Sequence, residues 1–139
     1  MKITISEQEM QKLKGQIEDK MEDIIAGSAM IIESKMKKNC PVDTGVTRAS
    51  IKAKKIDKFT WEIGSESPIA EYIEMGTGIY GPKKRKITPK RRQALHWKGR
   101  GGKDIFAKSV KGMPPRPFMR RSLTQSIPEI EDFINKSIS

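Results

Sequence analysis

The first forty residues carry apolar side chains mostly at three- and four-residue intervals, the spacing of one face of an α-helix. These are Met10, Leu13, Ile17, Met21, Ile24, Ile25, Ile31, Ile32 and Met36. Ser6-Glu7-Gln8-Glu9 precedes them and reads as a capping box, in which the Ser6 hydroxyl and the Glu9 carboxylate exchange hydrogen bonds with each other's backbone. Pro41 disfavours helix at Cys40. The pattern predicts one helix of about thirty residues, roughly 45 Å long at the usual rise per residue.

A turn and a β-hairpin are predicted to follow this helix. Pro41 to Gly45 has the composition of a turn, and either Asp43 or Thr44 is placed to cap a short helical turn after it. Residues 51–56 and 59–63 then alternate apolar and polar positions on either side of a tight turn. This alternation is typical of two half-buried strands.

The stretch from Pro68 to Gly81 marks a change in the character of the chain. Ile69, Tyr72 and Ile73 recur at i, i+3 and i+4, which predicts one or two turns of helix. Gly76 is placed to end this helix, because glycine readily adopts the left-handed conformation. We expect the short helix to be buried and to anchor a mobile segment that follows it.

The last part of the chain is rich in Lys, Arg, Gly and Pro. Residues 82–92 contain two prolines and almost no apolar residue, which is typical of an exposed, mobile loop. Residues 94–97 and 105–110 are predicted to form two strands joined by a glycine-rich turn. Pro117 suits the first turn of a final helix, and Pro128 is expected to interrupt or restart that helix.

These elements predict an α+β fold, with a long N-terminal helix and a C-terminal helix packed on a small antiparallel β-sheet. A length of 139 residues suits a single domain. Its predicted parts are the long helix (1–40), the hairpin and short helix (41–81), a long, flexible basic loop (82–103), and a strand with the C-terminal helix (104–139). An apolar fraction of 35% predicts a core that is thin or is completed by neighbouring subunits.

Positive charge is concentrated in one segment. Residues 83–121 carry fifteen Lys and Arg and one acid, Asp104, in a chain of net charge +11. Such a segment favours a polyanionic or acidic partner, although a solvated loop or one docked on an acidic neighbour remains an alternative. No sequence pattern predicts readout of bases. The candidates for contact with DNA or a protein partner are Lys83, Lys84, Arg85, Lys86, Lys90, Arg91, Arg92 and Arg100.

No motif predicts a catalytic residue, a cofactor or a metal. His96 and Cys40 are single and far apart, without the spacing of metal ligands. Glu71 and Glu74 form an i, i+3 pair that could bind a cation or do acid–base work, but exposure or pairing with basic residues is the simpler interpretation. A single cysteine excludes an intramolecular disulfide, so we expect a reducing compartment, and no apolar run is long enough to span a membrane.

Four short motifs occur in a characteristic order along the chain. They are Val42-Asp43-Thr44-Gly45 with Arg48-Ala49-Ser50-Ile51, then Ile63-Gly64-Ser65, then Ala70 to Thr77, and then Pro115 to Arg120. Together they resemble the neck or tail-completion (head–tail joining) proteins of long-tailed bacteriophages and prophages. The resemblance covers most of residues 1–125.

The resemblance implies a structural virion protein, not an enzyme, that assembles as a ring at the head–tail junction through which DNA passes. The implied partners are copies of itself, a connector or stopper protein, and tail-tube or terminator proteins. The protein itself would be made in the bacterial host cytoplasm and reside in the virion. The resemblance also gives its motif residues structural roles: tight turns at Gly45 and Gly76, core anchors at Tyr72 and Phe118, a helix start at Pro117, and supporting positions at Asp43, Thr44, Glu74 and Thr77. The competing function is a small, sequence-independent nucleic-acid-binding protein that uses residues 83–121.

Overall fold

A computed structural model describes residues 1–42 and 45–139 and shows an α+β protein. The predicted fold class is therefore confirmed. The strands form two separate two-stranded antiparallel sheets, β1 with β2 and β3 with β4, where a single small sheet was expected. The elements are α1 (Glu7–Asn39), α2 (Val46–Ala49), β1 (Ile51–Asp57), β2 (Thr60–Ser65), α3 (Pro68–Met75), β3 (Leu95–Lys98), β4 (Asp104–Ala107) and α4 (Phe118–Ile138), with 3-10 turns at Gly78–Tyr80 and Arg100–Gly102.

Helix α1 begins and ends close to the predicted positions. Ser6 Oγ accepts a hydrogen bond from the Glu9 N–H at 3.2 Å, and the Glu9 carboxylate accepts one from the Ser6 N–H at 2.8 Å. This capping box satisfies donors that the first helical turn leaves without intrahelical partners. The last helical residue is Asn39, directly before Cys40 and the proline that follows it.

The described residues group into two compact units, so the organisation as a single domain stays a prediction. The first unit comprises residues 1–65 and 119–139, and the second comprises residues 66–118. The first unit therefore joins the N-terminal half of the chain to helix α4.

In the first unit, the β1–β2 hairpin packs along α1. Ile51 is fully buried at the start of β1, and Ala53 on the same face is half-buried. The Ala53 N–H donates to Glu33 Oε2 at 2.7 Å, and Lys55 pairs with Glu22 at 2.8 Å. These contacts connect the hairpin to the second half of the long helix.

Helix α4 runs antiparallel to α1 in the same unit. Gly27 of α1 contacts Phe133 of α4, and Lys35 pairs with Glu129 at 2.5 Å. Further along α1, Asn39 donates to Gln125 at 2.8 Å and to Ser122 at 3.0 Å. The partner's residue number falls as the number along α1 rises, which shows that the helices are antiparallel. The absence of a side chain at Gly27 lets the Phe133 ring lie directly against the α1 backbone. The second half of α1 is therefore covered by both the hairpin and α4.

The interruption expected at Pro128 is not observed, because α4 continues through it. A proline inside a helix removes one backbone N–H and the bond it would make to the carbonyl four residues earlier, here that of Thr124. Adjacent turns gain side-chain bonds: Ser126 Oγ donates to the Ser122 carbonyl at 2.6 Å, and Thr124 Oγ1 donates to the Arg120 carbonyl at 3.2 Å. The loss of this one backbone hydrogen bond is tolerated in a helix that packs along its length.

The second unit contains α3, the β3–β4 hairpin and the segments that join them. Strands β3 and β4 pair with Leu95 opposite Ala107 and Lys98 opposite Asp104. Ile87 and Val110 exchange backbone hydrogen bonds of 2.9 and 3.0 Å in an isolated antiparallel bridge. The 82–103 segment is therefore not one continuous loop, because part of its backbone pairs with residues 104–110.

Few side chains of the described chain are fully buried. The apolar ones are Ala29, Met36, Cys40, Ile51, Ala70 and Phe118, and Ser122 and Ser126 are buried with hydrogen-bond partners. Many larger apolar side chains remain exposed, as a low apolar fraction suggests. Among residues 1–42 and 45–139, no helix has the length and apolar character needed to span a bilayer.

Candidate functional site

The segment Gly76-Thr77-Gly78 forms a close backbone crossing with residues 111–113. The Thr77 N–H donates to the Met113 carbonyl at 2.9 Å, and Thr77 Oγ1 accepts from the Met113 N–H at 2.9 Å. A threonine can make both bonds because it offers a backbone donor and a hydroxyl acceptor. Thr77 thus ties together two segments that are 36 residues apart.

Three glycines make this crossing sterically feasible. Gly76, Gly78 and Gly112 have φ values of 79°, 63° and 92°, in the left-handed region that other residues rarely adopt. A Cβ on Gly76 would lie 2.9 Å from the Pro115 nitrogen, and one on Gly112 would collide with the Thr77 carbonyl. The turn expected at Gly76 is thus one part of a larger crossing that sequence reasoning missed.

Three of the remaining motif residues, Gly45, Pro117 and Phe118, lie at element boundaries. Gly45 has a φ of 84° directly before α2. Pro117 directly precedes α4, and Phe118 is that helix's first residue and only 1% exposed. Glu74 is half-buried in α3. Asp43 and Thr44, with the capping role considered for them, lie outside the described residues.

The apolar face of α3 is exposed, which corrects the expectation of a buried short helix. Ile69, Tyr72 and Met75 share one face and are 49–55% exposed, so Tyr72 is not a core anchor. Ala70, on the opposite face, is the buried residue of this helix, and Ile73 is half-buried. The spacing of apolar residues identified an amphipathic helix, but this chain does not cover the face that they form. The three exposed side chains are called the α3 stripe.

A second exposed apolar stripe lies on the first half of α1. Met10, Leu13, Ile17 and Met21 share one helical face and are 47–59% exposed. The same face continues into the second half of the helix, where Ile24 is half-buried. The four exposed side chains are called the α1 stripe.

The eight basic residues predicted to contact DNA or a partner are all exposed. Lys83 to Lys86 follow the first 3-10 turn, and Arg100 lies in the turn between β3 and β4. The other three line an open depression of about 540 Å³, whose wall consists of Pro89, Lys90, Arg91, Arg92, Ala94, Leu95 and His96. This lining has three cationic side chains and no acidic one, which suits an anionic group such as a phosphate.

One residue of this lining, His96, belongs to a stacked aromatic pair. His96 on β3 is opposite Phe106 on β4, and their ring centroids are 4.6 Å apart with an interplanar angle of 18°. His96 Nε2 lies 2.9 Å from Asp104 Oδ1, and Phe106 is 67% exposed. Sequence reasoning treated His96 as a strand residue and did not identify Phe106, because their proximity depends on the register of the two strands.

The ionisable groups with shifted pKa values serve structural contacts. Hydrogen bonds from the Ser6 backbone and hydroxyl lower the pKa of Glu9, and the hydrogen bond from Lys55 lowers the pKa of Glu22. Burial raises the pKa of the Cys40 thiol, which is the opposite of what activates a cysteine nucleophile. Within the described parts of the chain, no three His, Cys, Asp or Glu side chains are grouped so as to hold a metal ion.

Residues 7–76 match the protein family described as "Bacteriophage HK97-gp10, putative tail-component". The match covers half of the chain and includes both apolar stripes, whereas the basic depression lies outside it. No curated protein and no solved structure shows a significant match. The chain therefore belongs to the HK97-gp10-like family of bacteriophage tail components, which confirms the resemblance carried by its motifs.

Proposed function

We propose that the protein is a structural subunit of the phage head–tail junction and assembles with copies of itself into a ring around the DNA passage. Membership of a phage tail-component family supports a structural role in the virion. In this role the protein contacts a connector or stopper protein on the head side and tail-tube or terminator proteins on the tail side. The role requires no catalytic residue and no cofactor.

The exposure of the α1 and α3 stripes is the observation that carries this proposal. Single exposed apolar side chains are normal, but continuous apolar stripes on helices mark interaction surfaces. Complete burial of such a side chain contributes about 1.5–3 kcal/mol, so covering seven that are half exposed would contribute roughly 5–10 kcal/mol before the costs of association. Assembly is therefore a physically sufficient way to complete this thin core.

Light scattering coupled to size exclusion, over a range of protein concentrations and at low and moderate salt, tests the proposal. We expect an oligomer of one defined mass that forms without DNA, because a closed ring stops growing once its last interface forms. A monomer that associates only when duplex DNA is added, and that is released as salt rises, would contradict the proposal and favour the function considered next.

A second candidate function is sequence-independent contact with the DNA backbone. It is favoured by the depression lined by Lys90, Arg91 and Arg92, whose wall also includes His96, the ring that stacks on the exposed Phe106. Cationic side chains neutralise phosphates without reading sequence, and each contact releases counterions. In an assembled ring, the same surface would line the passage of DNA, so this function can accompany the first.

Measuring DNA binding over a range of salt concentrations, for variants that lose equal charge at different places, tests whether this surface contacts DNA. Replacing both Arg91 and Arg92 by Gln is expected to weaken binding to random-sequence duplex and to reduce the slope of log K against log salt by roughly 2. Lys52→Gln with Lys54→Gln on exposed positions of β1 removes the same charge elsewhere and serves as the matched control. Equal losses in the two double variants would show that net charge alone governs binding.

A further inference from the structure

The β3–β4 hairpin carries an exposed aromatic stack on one of its two faces. The register places His96 and Phe106 directly opposite each other, and the two-residue period of a strand puts Lys98 and Asp104 on the same face. One side of the Phe106 ring lies against the imidazole, with 4.6 Å between the ring centroids. Because Phe106 is still 67% exposed, the other side of its ring is open to solvent. The stack therefore ends in a free aromatic surface.

Exposed positive charge accompanies this stack. His96 is part of the wall of the depression, together with Lys90, Arg91 and Arg92. Lys98 lies on the same face of the hairpin as the stack. All four cationic side chains are exposed, and none of them forms an ion pair with a described residue. The stack and these four cations are together called the hairpin surface.

One carboxylate, that of Asp104, lies on this surface. It contacts the imidazole, with 2.9 Å between Asp104 Oδ1 and His96 Nε2, and it is opposite Lys98 in the register. No acidic residue lines the depression, and the other three acids of this compact unit all lie between residues 66 and 74. Four cations and one carboxylate leave the hairpin surface with a net charge of +3 when His96 is neutral. The surface therefore attracts an anionic ligand.

We propose that the hairpin surface binds single-stranded DNA, with an unpaired base stacked on the free side of the Phe106 ring and the cations on the neighbouring phosphates. This inference rests on the DNA-backbone function considered above and identifies the form of DNA that the surface takes. Stacking needs no sequence readout, because every base has a π face. The bases of a duplex are already stacked on one another, so a duplex offers the same phosphates without a free base face.

An acidic protein surface is the other occupant that the charge allows. It would neutralise the same cations, but it would not require an aromatic side chain at Phe106, since leucine offers a comparable apolar contact. The aromatic character of the side chain, and not its apolar surface, therefore distinguishes the two occupants.

Phe106→Leu tests the stacking, with binding to a short labelled oligo-dT and to a duplex of equal length measured by fluorescence anisotropy at one salt concentration. We expect the affinity for oligo-dT to fall at least fivefold, because base–aromatic stacking is lost, and the affinity for duplex to change less than twofold. Phe106→Tyr should bind oligo-dT like the wild type. Unchanged binding of oligo-dT by Phe106→Leu would overturn the inference.

An abasic strand of the same length separates the base from the phosphates. The wild type should bind it about as weakly as Phe106→Leu binds oligo-dT, and Phe106→Leu should bind it like the wild type. Equal wild-type affinity for oligo-dT and the abasic strand would show that only phosphates are contacted, against the inference. Tighter binding of oligo-U than of oligo-dT would overturn the assignment to DNA.

Phe59→Leu is the matched control. Phe59 is another exposed phenylalanine, 38% exposed, and Lys58 Nζ lies 5.5 Å from its ring centroid, but it lies outside the basic segment. Its substitution should leave the affinity for oligo-dT unchanged. Circular dichroism and light scattering verify that each variant keeps the fold and the oligomeric state of the wild type. An equal loss of affinity in Phe59→Leu would show that any exposed ring beside a cation has this effect.

The outcomes also separate this inference from the functions proposed above. If the Arg91 and Arg92 double variant loses duplex binding but Phe106→Leu binds oligo-dT like the wild type, backbone contact stands and the inference fails. If the wild type binds neither oligo-dT nor duplex at low salt, the inference and the second candidate function both fail, and light scattering still decides the ring. Loss of assembly in Phe106→Leu with unchanged oligo-dT binding would assign this face to a protein contact.

Discussion

The two halves of α1 share one apolar periodicity but have different surroundings. In residues 22–39, the β1–β2 hairpin and α4 contact the helix through groups such as the Ala53 N–H and the Phe133 ring. In residues 7–21, the apolar stripe remains half exposed. An amphipathic pattern therefore identifies a helix face that favours burial, but it does not identify the chain that buries it. The second half of α1 is packed within the fold, whereas the first half leaves its apolar face half exposed.

The largest loss of stability is expected from Phe133→Ala, because Phe133 of α4 contacts the covered half of α1. The half-buried ring packs directly against Gly27, and its removal takes apolar surface out of the contact between α1 and α4. We expect the free energy of unfolding to fall by about 2 kcal/mol, below the range for a fully buried phenylalanine. Urea denaturation followed by circular dichroism measures this change.

Ile17→Ala is the control on the uncovered half of the same helix. It removes a side chain that is already mostly in water in the monomer, so the free energy of unfolding should change by less than about 0.5 kcal/mol. The unfolding of both variants should be measured at a concentration at which the protein is monomeric. Similar losses in the two variants would show that the first half of α1 is packed within the monomer.

A smaller, pH-dependent effect is expected at Glu33, where the covered half of α1 contacts β1. Lys37 Nζ donates to Glu33 at 2.6 Å, and this bond is the main cause of its lowered pKa, with a further contribution from the Ala53 N–H. A carboxyl whose pKa is lowered on folding contributes stability above its ordinary pKa of about 4.3 and loses that contribution as the pH falls through the lowered value. Acid should therefore weaken the contact between α1 and the hairpin.

Glu33→Gln tests this assignment. We expect the variant to lose about 1 kcal/mol at pH 7, because the charged acceptor of two hydrogen bonds is replaced by a neutral one. Its stability should then change less than that of the wild type between pH 5 and pH 3. Parallel stability profiles for both proteins would assign the acid sensitivity to other carboxyl groups, such as Glu9 or Glu22.

The smallest effect on global unfolding is expected from Ser6→Ala. Ser6 directly precedes α1, at the start of the half of the helix that is left uncovered. Loss of the capping box should let the first turns of α1 open more often, so backbone amides of residues 9–20 should exchange with solvent several-fold faster. The midpoint of global unfolding should hardly move, because the cap lies far from the covered half. If these amides regain protection from exchange when the protein assembles, a neighbouring subunit covers this region. Equal exchange rates in monomer and oligomer would show that no subunit covers it.

Local sequence signals predicted the elements whose stabilising interactions are close in sequence. The capping box at Ser6 and the proline after Cys40 defined α1 well, and alternation defined the β1–β2 hairpin. These features depend on interactions within a few residues or across one tight turn. The same reasoning located β3 and β4 to within a few residues.

The features that sequence reasoning missed depend on contacts between distant residues. The hydrogen bonds from Thr77 to Met113, 36 residues away, leave no periodic signal. The stacking of His96 on Phe106 depends on strand register, and Pro128 is tolerated because the helix around it is packed. For Tyr72, the apolar pattern was recognised correctly, but whether its face is covered depends on surfaces that the pattern does not describe.

The Thr77 crossing also sets how sensitive the protein is to the length of the segment that follows it. It closes a loop that contains the basic residues and the β3–β4 hairpin, and its backbone bonds hold both ends of that loop together. Doubling the length of such a loop costs only about 0.6 kcal/mol in closure entropy. We therefore expect insertions and deletions between residues 88 and 109 to cost little stability in residues 7–76, the part that matches the family. The crossing thus acts as a clasp that separates the stability of the rest of the chain from the length of the segment it encloses.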